Sequence, residues 1–588
     1  MYLCSIARAL ISKITSSAIP STYALEIQVF MASPCKARDS ETATLGAPST
    51  GNVLNHPHGT DIVDPIHGTI TVHPLLSAFI NTPQFQRLRF IRMLGPAYFT
   101  FPTGNHNRFE HCIGVSYLAM QLVETIRRNQ PELAVTEADC LAVGLAGLCH
   151  DLGHGPLSHT FERFLREACP DKKPWDHEAF SISIMEDIVE SRNLMPLLRS
   201  YHLDEIDLIF VKELIHGQRL VGRPKEKAFL YEIVSNKRNG IDVDRIDYIY
   251  RDAFNVPVVA CTPTRFSEVI DTARAICVDD DWQICYAARF AHVIWELFDT
   301  RRELHRRLYQ NQANGLGERM TLDILLAADK HLTFVGPDGV SFRLTESLKS
   351  LPHFMMLNDG IISQIRDSFQ PEMKTARDLL NRLFTNERYK FICRTDLVKS
   401  LGGIELAKLK VDLTRMVKSS LQKSPHREMR VDDVVLIHQK FDYGMGEKNP
   451  MERISFYDRS NLSAAVKMST EDFDVSSPQY WLEESVSLYY KHDDVTIIDE
   501  LRCAMCRWAE ERKLRILLNP DNLKPLRSAR NEKGDHDAIL PDAELTKAVK
   551  KDLFSIYNME EPADAKIKGE FDVLARLDEF EANKVKPK

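Results

Sequence analysis

The stretch LAVGLAGLCHDLGHGPLSH, residues 141–159, constrains the chain more than any other. Leu141, Leu145 and Leu148 recur at i, i+4 and i+7, the period of one buried helix face. Ahead of them, Thr136-x-x-Asp139 has the pattern of a capping box, with Asp in place of the usual Glu or Gln. His150 and Asp151 fall at the expected end of that helix, and Gly153, Gly155 and Pro156 then break it. The same stretch therefore sets a helical core and delivers a His-Asp pair at its edge. The chain has 20 histidines, and His106, His111, His150, His154, His159 and His177 crowd into this one region.

Helical spacing continues on either side. Val115, Leu118, Leu122 and Ile126 share one face, and HEAFSISIMEDIVES, KAFLYEIVSN, DRIDYIYRDAF and VIWELFDTRRELHRRLYQ read as further helices. MRVDDVVLIHQKFDYG and ERISFYDR alternate like strands, and 495–517 reads as a helix. The expectation is a mainly α fold: a helical catalytic core at 61–335, and a smaller mixed α/β lobe at 336–518 for regulation and oligomerisation. Residues 1–60 read as an unstructured leader and linker, and 519–588 as a polar tail. Residues 1–25 carry Arg8 and Lys13 and no acid, as a mitochondrial presequence does, but two bases are thin support for targeting. An extension ahead of a start at Met31 fits them as well.

Hydrophobic residues at 44% and charged residues at 27% are ordinary for a folded protein and exclude a wholly disordered or collagen-like chain. No run of about 18 apolar residues occurs, so no transmembrane helix is expected. Acids outnumber bases 83 to 75, so any polyanion must be met by a local patch of cations. The 12 cysteines are scattered, as reduced thiols are, and Cys503-x-x-Cys506 lacks the second pair of ligands that a zinc site needs.

The chemistry rests on His111, His150, Asp151 and Asp244, which come from three expected helices. Imidazole and carboxylate together suit Zn, Fe or Mn, and packed helices can aim such groups into one cleft. Arg108, Arg245 and Arg301 are candidates to face phosphate oxygens, which guanidinium matches in pairs. His154, His159 or His177 could donate a proton to a leaving alkoxide, with Glu162 orienting one of them.

Those residues lie within DPIHGTITVHPLL, TPQFQRLRFIRMLG, HNRFEHCIGVSYLA, AGLCHDLGHGPLSHTF, FLYEIVSNKRNGIDVDRIDY, LHRRLYQ and DYGMGEKNP. Through these motifs the chain resembles the vertebrate SAM- and HD-domain-containing deoxynucleoside triphosphate triphosphohydrolases over about residues 61–460. The resemblance implies cleavage of a dNTP at the α-phosphate, releasing the deoxynucleoside and inorganic triphosphate. It implies metal ligation by His111, His150, Asp151 and Asp244, with Mg accompanying the substrate triphosphate. His154, His159, His177 and Glu162 match catalytic positions. Arg108, Leu94, Arg245, Tyr248, Asp252, Arg301, His305, Tyr309 and Gln310 match substrate-binding positions, Tyr309 being the ring that leaves no room for a ribose 2′-hydroxyl. A GTP and a dNTP activator, assembly into a tetramer or dimer, and a nuclear or cytosolic location also follow from the resemblance.

The departures concern control more than chemistry. The family carries a SAM domain ahead of its core, and 60 residues are too few to hold one. Glu162 stands for Asp, and Met93 for a glutamine that bonds the sugar 3′-hydroxyl. Gln86 and Arg89 keep two guanine-pocket positions, but Asn81 replaces the Asp there, and an amide offers a single acceptor oxygen. Thr60 falls where a phosphate-binding Lys is expected. Arg289, Arg307 and Lys448 persist in the second pocket, while Ala287, Val293, Asn311 and Gln312 replace polar or basic residues. Activation is therefore expected to be altered. Two other readings stay open: an HD phosphohydrolase acting on another nucleotide or on single-stranded nucleic acid, and a nucleic-acid-binding paralogue with little catalysis.

Overall fold

Two packed helices carry the core. Helix α1 (Arg108–Asn129) opens with Asn107 N–H donating to Glu110 Oε1 at 2.9 Å. Helix α2 (Glu137–Cys149) opens on the expected capping box: Asp139 N donates to Thr136 Oγ1 (3.1 Å) and Thr136 N to Asp139 Oδ2 (2.8 Å). Both boxes satisfy N–H groups that a first helical turn leaves without partners. Helix α2 is buried without a break from Asp139 to Cys149. Its small residues let α1 approach: a Cβ on Gly147 would stand 3.2 Å from Ser116 Cα, and Ser116 Oγ donates to Gly144 O at 2.7 Å. This contact brings the rings of His111 and His150 to 5.2 Å between centroids.

The computed structural model describes residues 54–518, apart from 55, 173–174, 261–263, 398–402, 421–428, 469–471, 473–477 and 479. The expected leader up to residue 53 and the expected tail from 519 lie outside the described residues. Around the central pair lie α3 (His159–Ala168), α4 (His177–Ser191), α5 (Glu205–His216), α6 (Val243–Asn255), α7 (Ala291–Leu304) and α8 (Gln312–Ala328). Helix α7 runs into a π-helical turn, His305–Tyr309. The helix expected in KAFLYEIVSN is instead a 3-10 segment, Lys225–Glu232, with Lys227 off helical geometry. The buried Glu232 carboxylate there accepts from Arg238 Nε (2.5 Å) and Ile284 N (2.9 Å), so the segment is fitted to a neighbouring strand and not to a helical repeat.

The strands are β1 (Thr60–Asp64), β2 (Gly68–Val72), β3 (Arg274–Val278), β4 (Asp281–Ala287), β5 (Thr333–Val335) and β6 (Ser341–Arg343). They continue as β7 (Lys390–Leu397), β8 (Val434–Asp442), β9 (Phe456–Asp458), β10 (Asn461–Val466), β11 (Leu482–Tyr490) and β12 (Ile516–Leu518). β1-β2 and β5-β6 are antiparallel hairpins, and the larger sheets run β10-β9-β4-β3 and β12-β7-β11-β8. β4 and β9 pair in parallel, Tyr286 opposite Phe456, so strands from both sides of residue 335 share one sheet. Helices α9 (Lys374–Phe384), α10 (Gly403–Ser420) and α11 (Val495–Glu511) complete the later part, where Ile392, Leu413, Leu488, Leu501 and Met505 form a second core. The helix expected at 495–517 stops at Glu511, because Ile516–Leu518 add a strand against Thr395, Arg394 and Cys393. The fold is mainly α, as expected. No described helix is long and apolar enough to cross a membrane, and Cys503 and Cys506 are free.

Candidate active site

The four expected ligands converge. His111 Nε2 lies 3.1 Å from Asp244 Oδ1 and 3.6 Å from Asp151 Oδ2, and His150 Nε2 lies 3.4 Å from Asp244 Oδ1 and 3.5 Å from Asp151 Oδ1. Ligand atoms about 2.0–2.2 Å from a shared ion stand roughly 3.0–3.6 Å from one another, depending on the angle between bonds. The tautomers also fit. His150 Nδ1 donates to Gly147 O (2.8 Å) and His111 Nδ1 to Asp247 Oδ2 (2.7 Å), which turns each Nε2 toward the carboxylates, where it holds either a proton or a metal ion. Neither Nε2 makes a hydrogen bond of acceptable geometry, although both are buried. Ring nitrogens facing carboxylates in a buried cleft call for a cation. Burial disfavours charge on His111, yet Asp244 and Asp247 outweigh it and raise its pKa to about 10. His150 is raised in the same way, against burial, by Asp151 and Asp244. The donor set and its two orphaned nitrogens fit a divalent metal ion.

Behind His111 stands a group that sequence reasoning missed. Asp247 is fully buried and accepts from Arg251 Nε (2.8 Å) and Nη2 (2.9 Å) as well as from His111, and His67 Nε2 sits 2.7 Å from it. Arg251 Nη1 in turn donates to Asp64 Oδ2 at 2.9 Å. The DPIHG turn between β1 and β2 thus locks the carboxylate that fixes the His111 ring, an arrangement that raises ligand basicity at metal sites. The only signal was position: Asp247 lies one helical turn after Asp244.

Next to the four ligands is a histidine cluster. His154 Nε2 lies 3.2 Å from Asp151 Oδ1, and its ring stacks on His177 at 4.2 Å. Glu162 Oε1 lies 3.0 Å from His177 Nδ1 and 3.3 Å from His159 Nδ1. Burial, with the charges of Arg108 and His177, holds His154 well below its ordinary pKa, so it is neutral. Burial also opposes charge on His177, but Glu162 prevails and raises it to about 9. His159 is mostly exposed, its side chain 65% accessible, at the edge of the cluster. The structure therefore sets one neutral and one charged imidazole beside the ligands.

The cations gather around the same cleft. Arg108 donates to Asp151 Oδ2 and, through Nε, to Ser158 Oγ at 2.8 Å. Arg301 Nη1 donates to the backbone and carboxylate oxygens of Asp442, both at 3.3 Å. Arg245, next to Asp244 on α6, meets Arg301 at Gly444: a Cβ there would lie 3.0 Å from Arg245 Nη1 and 3.7 Å from Arg301 Nε. Gly444 has φ +93, a conformation other residues rarely adopt. Asp244, Tyr248 and Asp252 are four apart and line one face of α6. Asp252 accepts from Tyr309 Oη (2.6 Å), and its other oxygen lies 2.6 Å from His106 Nε2. Nothing in the sequence around His106 points to this partner, which lies 146 residues further on. Gln310 is committed to β8: its Nε2 donates to Lys440 O and its Oε1 accepts from Lys440 N, both at 2.8 Å, with His305 Nδ1 3.2 Å from Nε2. Leu94 is half-buried at the head of the 3-10 turn Gly95–Phe99.

The expected activator positions fall in separate places. Asn81, Gln86 and Arg89 share one surface turn: Gln86 Nε2 donates to Ile80 O (2.9 Å), Arg89 Nε to Gln86 Oε1 (2.7 Å), and the Arg89 guanidinium covers the Phe109 ring at 3.5 Å. Arg289 lies over Phe290, Arg307 Nε donates to Glu303 Oε2 at 2.6 Å along its own helix, and Lys448 is in the loop after β8.

An HD-domain family model matches residues 108–250, which span α1 to α6 and hold all four candidate ligands. Fold and site together define an HD-domain protein. The deoxynucleoside triphosphate triphosphohydrolase SAMHD1 of Bos taurus is 37% identical over 461 residues, covering 76% of this chain and 77% of that protein. SAMHD1 of Mus musculus is 36% identical over 485 residues (79% and 73%), and the SAMHD1 homolog of Dictyostelium discoideum 31% over 466 (79% and 81%). The chain belongs to the SAMHD1 family.

Proposed function

We propose that this chain is a metal-dependent deoxynucleoside triphosphate triphosphohydrolase, cleaving dNTPs to the deoxynucleoside and inorganic triphosphate and so contributing to control of dNTP pools. One observation carries the reading: the Nε2 atoms of His111 and His150 each lie within 3.6 Å of oxygens from both Asp151 and Asp244, a spacing that suits ligands around one ion. His111, His150, Asp151 and Asp244 hold Zn, Fe or Mn, and Mg accompanies the triphosphate. When bound, the metal polarises a phosphoryl oxygen and lowers the pKa of a water. Arg108, Arg245 and Arg301 hold the phosphate oxygens and offset their charge. His177, kept charged by Glu162, gives its proton to the departing 5′ oxygen, and neutral His154 orients the attacking water, which gives up its own proton to solvent on binding the metal. His159 closes the outer edge of this group. Tyr248, Asp252 and Tyr309 face the sugar, with Leu94, His305 and Gln310 shaping the rest of the pocket. GTP at Asn81, Gln86 and Arg89, and a dNTP at Arg289, Arg307 and Lys448, act as activators of a tetramer or dimer, with altered strength. The protein works in the nucleus or cytosol.

The test is to incubate purified protein with dATP or ATP and Mn, with and without GTP, and to separate the products. Deoxyadenosine and triphosphate are expected from dATP. Diphosphate or monophosphate products would move the assignment to another HD phosphohydrolase, and tight single-strand binding without turnover would move it to a nucleic-acid-binding paralogue.

Two smaller predictions follow from the cleft. The pKa of His177 lies near 9, above its ordinary 6.5, so the His177–Glu162 pair stabilises the fold in full below pH 6.5 and loses this as pH rises through 9. Accordingly kcat is expected to fall above pH about 9, a limb that His177→Gln removes along with most activity; a flat alkaline profile in the wild type would count against His177 as the acid. Gly444→Ala places a Cβ 3.0 Å from Arg245 Nη1 at φ +93. It is expected to raise KM for dATP several-fold with a smaller change in kcat, measured by steady-state kinetics.

A further inference from the structure

His106 belongs to none of the groups assigned so far, yet its ring is among the most enclosed in the cleft, with its side chain 2% exposed. It sits just before α1, where Arg92 and Asn107 form an isolated β-bridge and His106 O accepts from Met93 N at 3.0 Å. The backbone on both sides of the ring is therefore fixed. Its Nε2 lies 2.6 Å from Asp252 Oδ1, and its Nδ1 is buried and meets no hydrogen-bond partner. Asp252 is the ring's one polar anchor among the described residues.

Asp252 is itself 2% exposed and is held at both oxygens, by His106 on one and by Tyr309 Oη, at 2.6 Å, on the other. Tyr309 ends the π-helical turn His305–Tyr309, a rare backbone form that is frequent at functional sites. The Tyr309 hydroxyl is kept protonated, by burial first and then by the charge of Asp252, so it is the donor in this pair. Without His106 the carboxylate would be free to turn about its last torsion, and Tyr309 would lose a fixed acceptor.

We infer that His106 is a specificity-positioning residue: through the His106–Asp252–Tyr309 chain it fixes the tyrosine ring against which the sugar packs, and so sets discrimination between deoxyribo- and ribonucleoside triphosphates. This rests on the proposed reading of the cleft as a dNTP site. The ring acts through Asp252 and need not touch the substrate. Rejection of one extra hydroxyl depends on a wall that does not yield, so an unanchored Tyr309 costs selectivity before it costs turnover.

The test compares kcat/KM for dATP and ATP in the wild type, His106→Phe, His106→Gln and Tyr309→Phe, each checked for a native melting transition. His106→Phe keeps the ring volume and removes the donor. It is expected to lower the dATP/ATP preference by roughly tenfold or more, the scale of losing a hydrogen bond to a charged group. His106→Gln, whose amide can donate to Asp252, should restore most of it. Tyr309→Phe should lower the preference to the same degree, and combining it with His106→Phe should add little. A folded His106→Phe whose preference stays within about twofold of wild type would overturn the inference, as would equal losses on both substrates with no rescue by Gln. If the wild type does not turn over dATP, the proposed function fails, and the anchoring is then read without activity. A downfield imidazole N–H proton resonance, lost in both His106→Phe and Asp252→Asn, supports it, and absence of that resonance from the wild type refutes it.

Discussion

Replacing His150 by alanine is expected to remove the bound metal and turnover together, with activity falling more than about a thousandfold, because polarisation by a bound metal is worth several kcal/mol. The substitution takes away one of the two imidazole nitrogens and leaves His111 alone to face Asp151 and Asp244. The fold should survive it. His150 follows the last residue of α2, and the bond from its Nδ1 to Gly147 O, 2.8 Å, is a local one. Metal content by elemental analysis, a melting curve and a dATP assay on one preparation decide the matter. Native melting with neither metal nor turnover is the expected pattern. Retained metal and near-native turnover would remove His150 from the ligand set.

Asp247→Asn is expected to show the second large effect, in affinity and stability at once. The carboxylate fixes the His111 tautomer and neutralises Arg251, whose side chain has no exposure. Removing a carboxylate behind a metal-bound histidine costs about 10–100-fold in metal affinity. Leaving a buried guanidinium with one partner fewer costs about 3–5 kcal/mol, a range measured for broken buried pairs, although Asp64 keeps part of the compensation here. His67→Ala separates the two effects. It removes one neighbour of Asp247 while leaving Arg251 paired, so the loss of stability should be the smaller of the two. Metal titration and denaturant unfolding measure them, and a stable Asp247→Asn with unchanged metal affinity would show that Asp247 does not support the site.

What could be read from the sequence was local. The capping box at Thr136, the buried face of α2 and the His150-Asp151 pair at its end are all written within fifteen or so residues, where helical period and capping are decisive. The roles of Asp247 and His106 could not be read in this way, because each depends on a partner more than 130 residues away: His111 for one, Asp252 for the other. A buried carboxylate and a surface carboxylate look alike in a string of letters. The same limit explains the two misread elements. KAFLYEIV has the apolar content of a helix, but Glu232 is drawn to Ile284 N on β4, and Ile516–Leu518 become a strand because the exposed edge of β7 is there to receive them. The parallel pairing of Tyr286 with Phe456 joins segments too far apart for any pattern to link.

The sharpest measurement is hydrolysis of dATP in water enriched in 18O, with products resolved by mass spectrometry. Attack on the α-phosphorus at this site places the label in inorganic triphosphate, leaves deoxyadenosine unlabelled, and gives neither product when His150 is alanine. Label in deoxyadenosine, or in orthophosphate released beside dADP, would contradict the account.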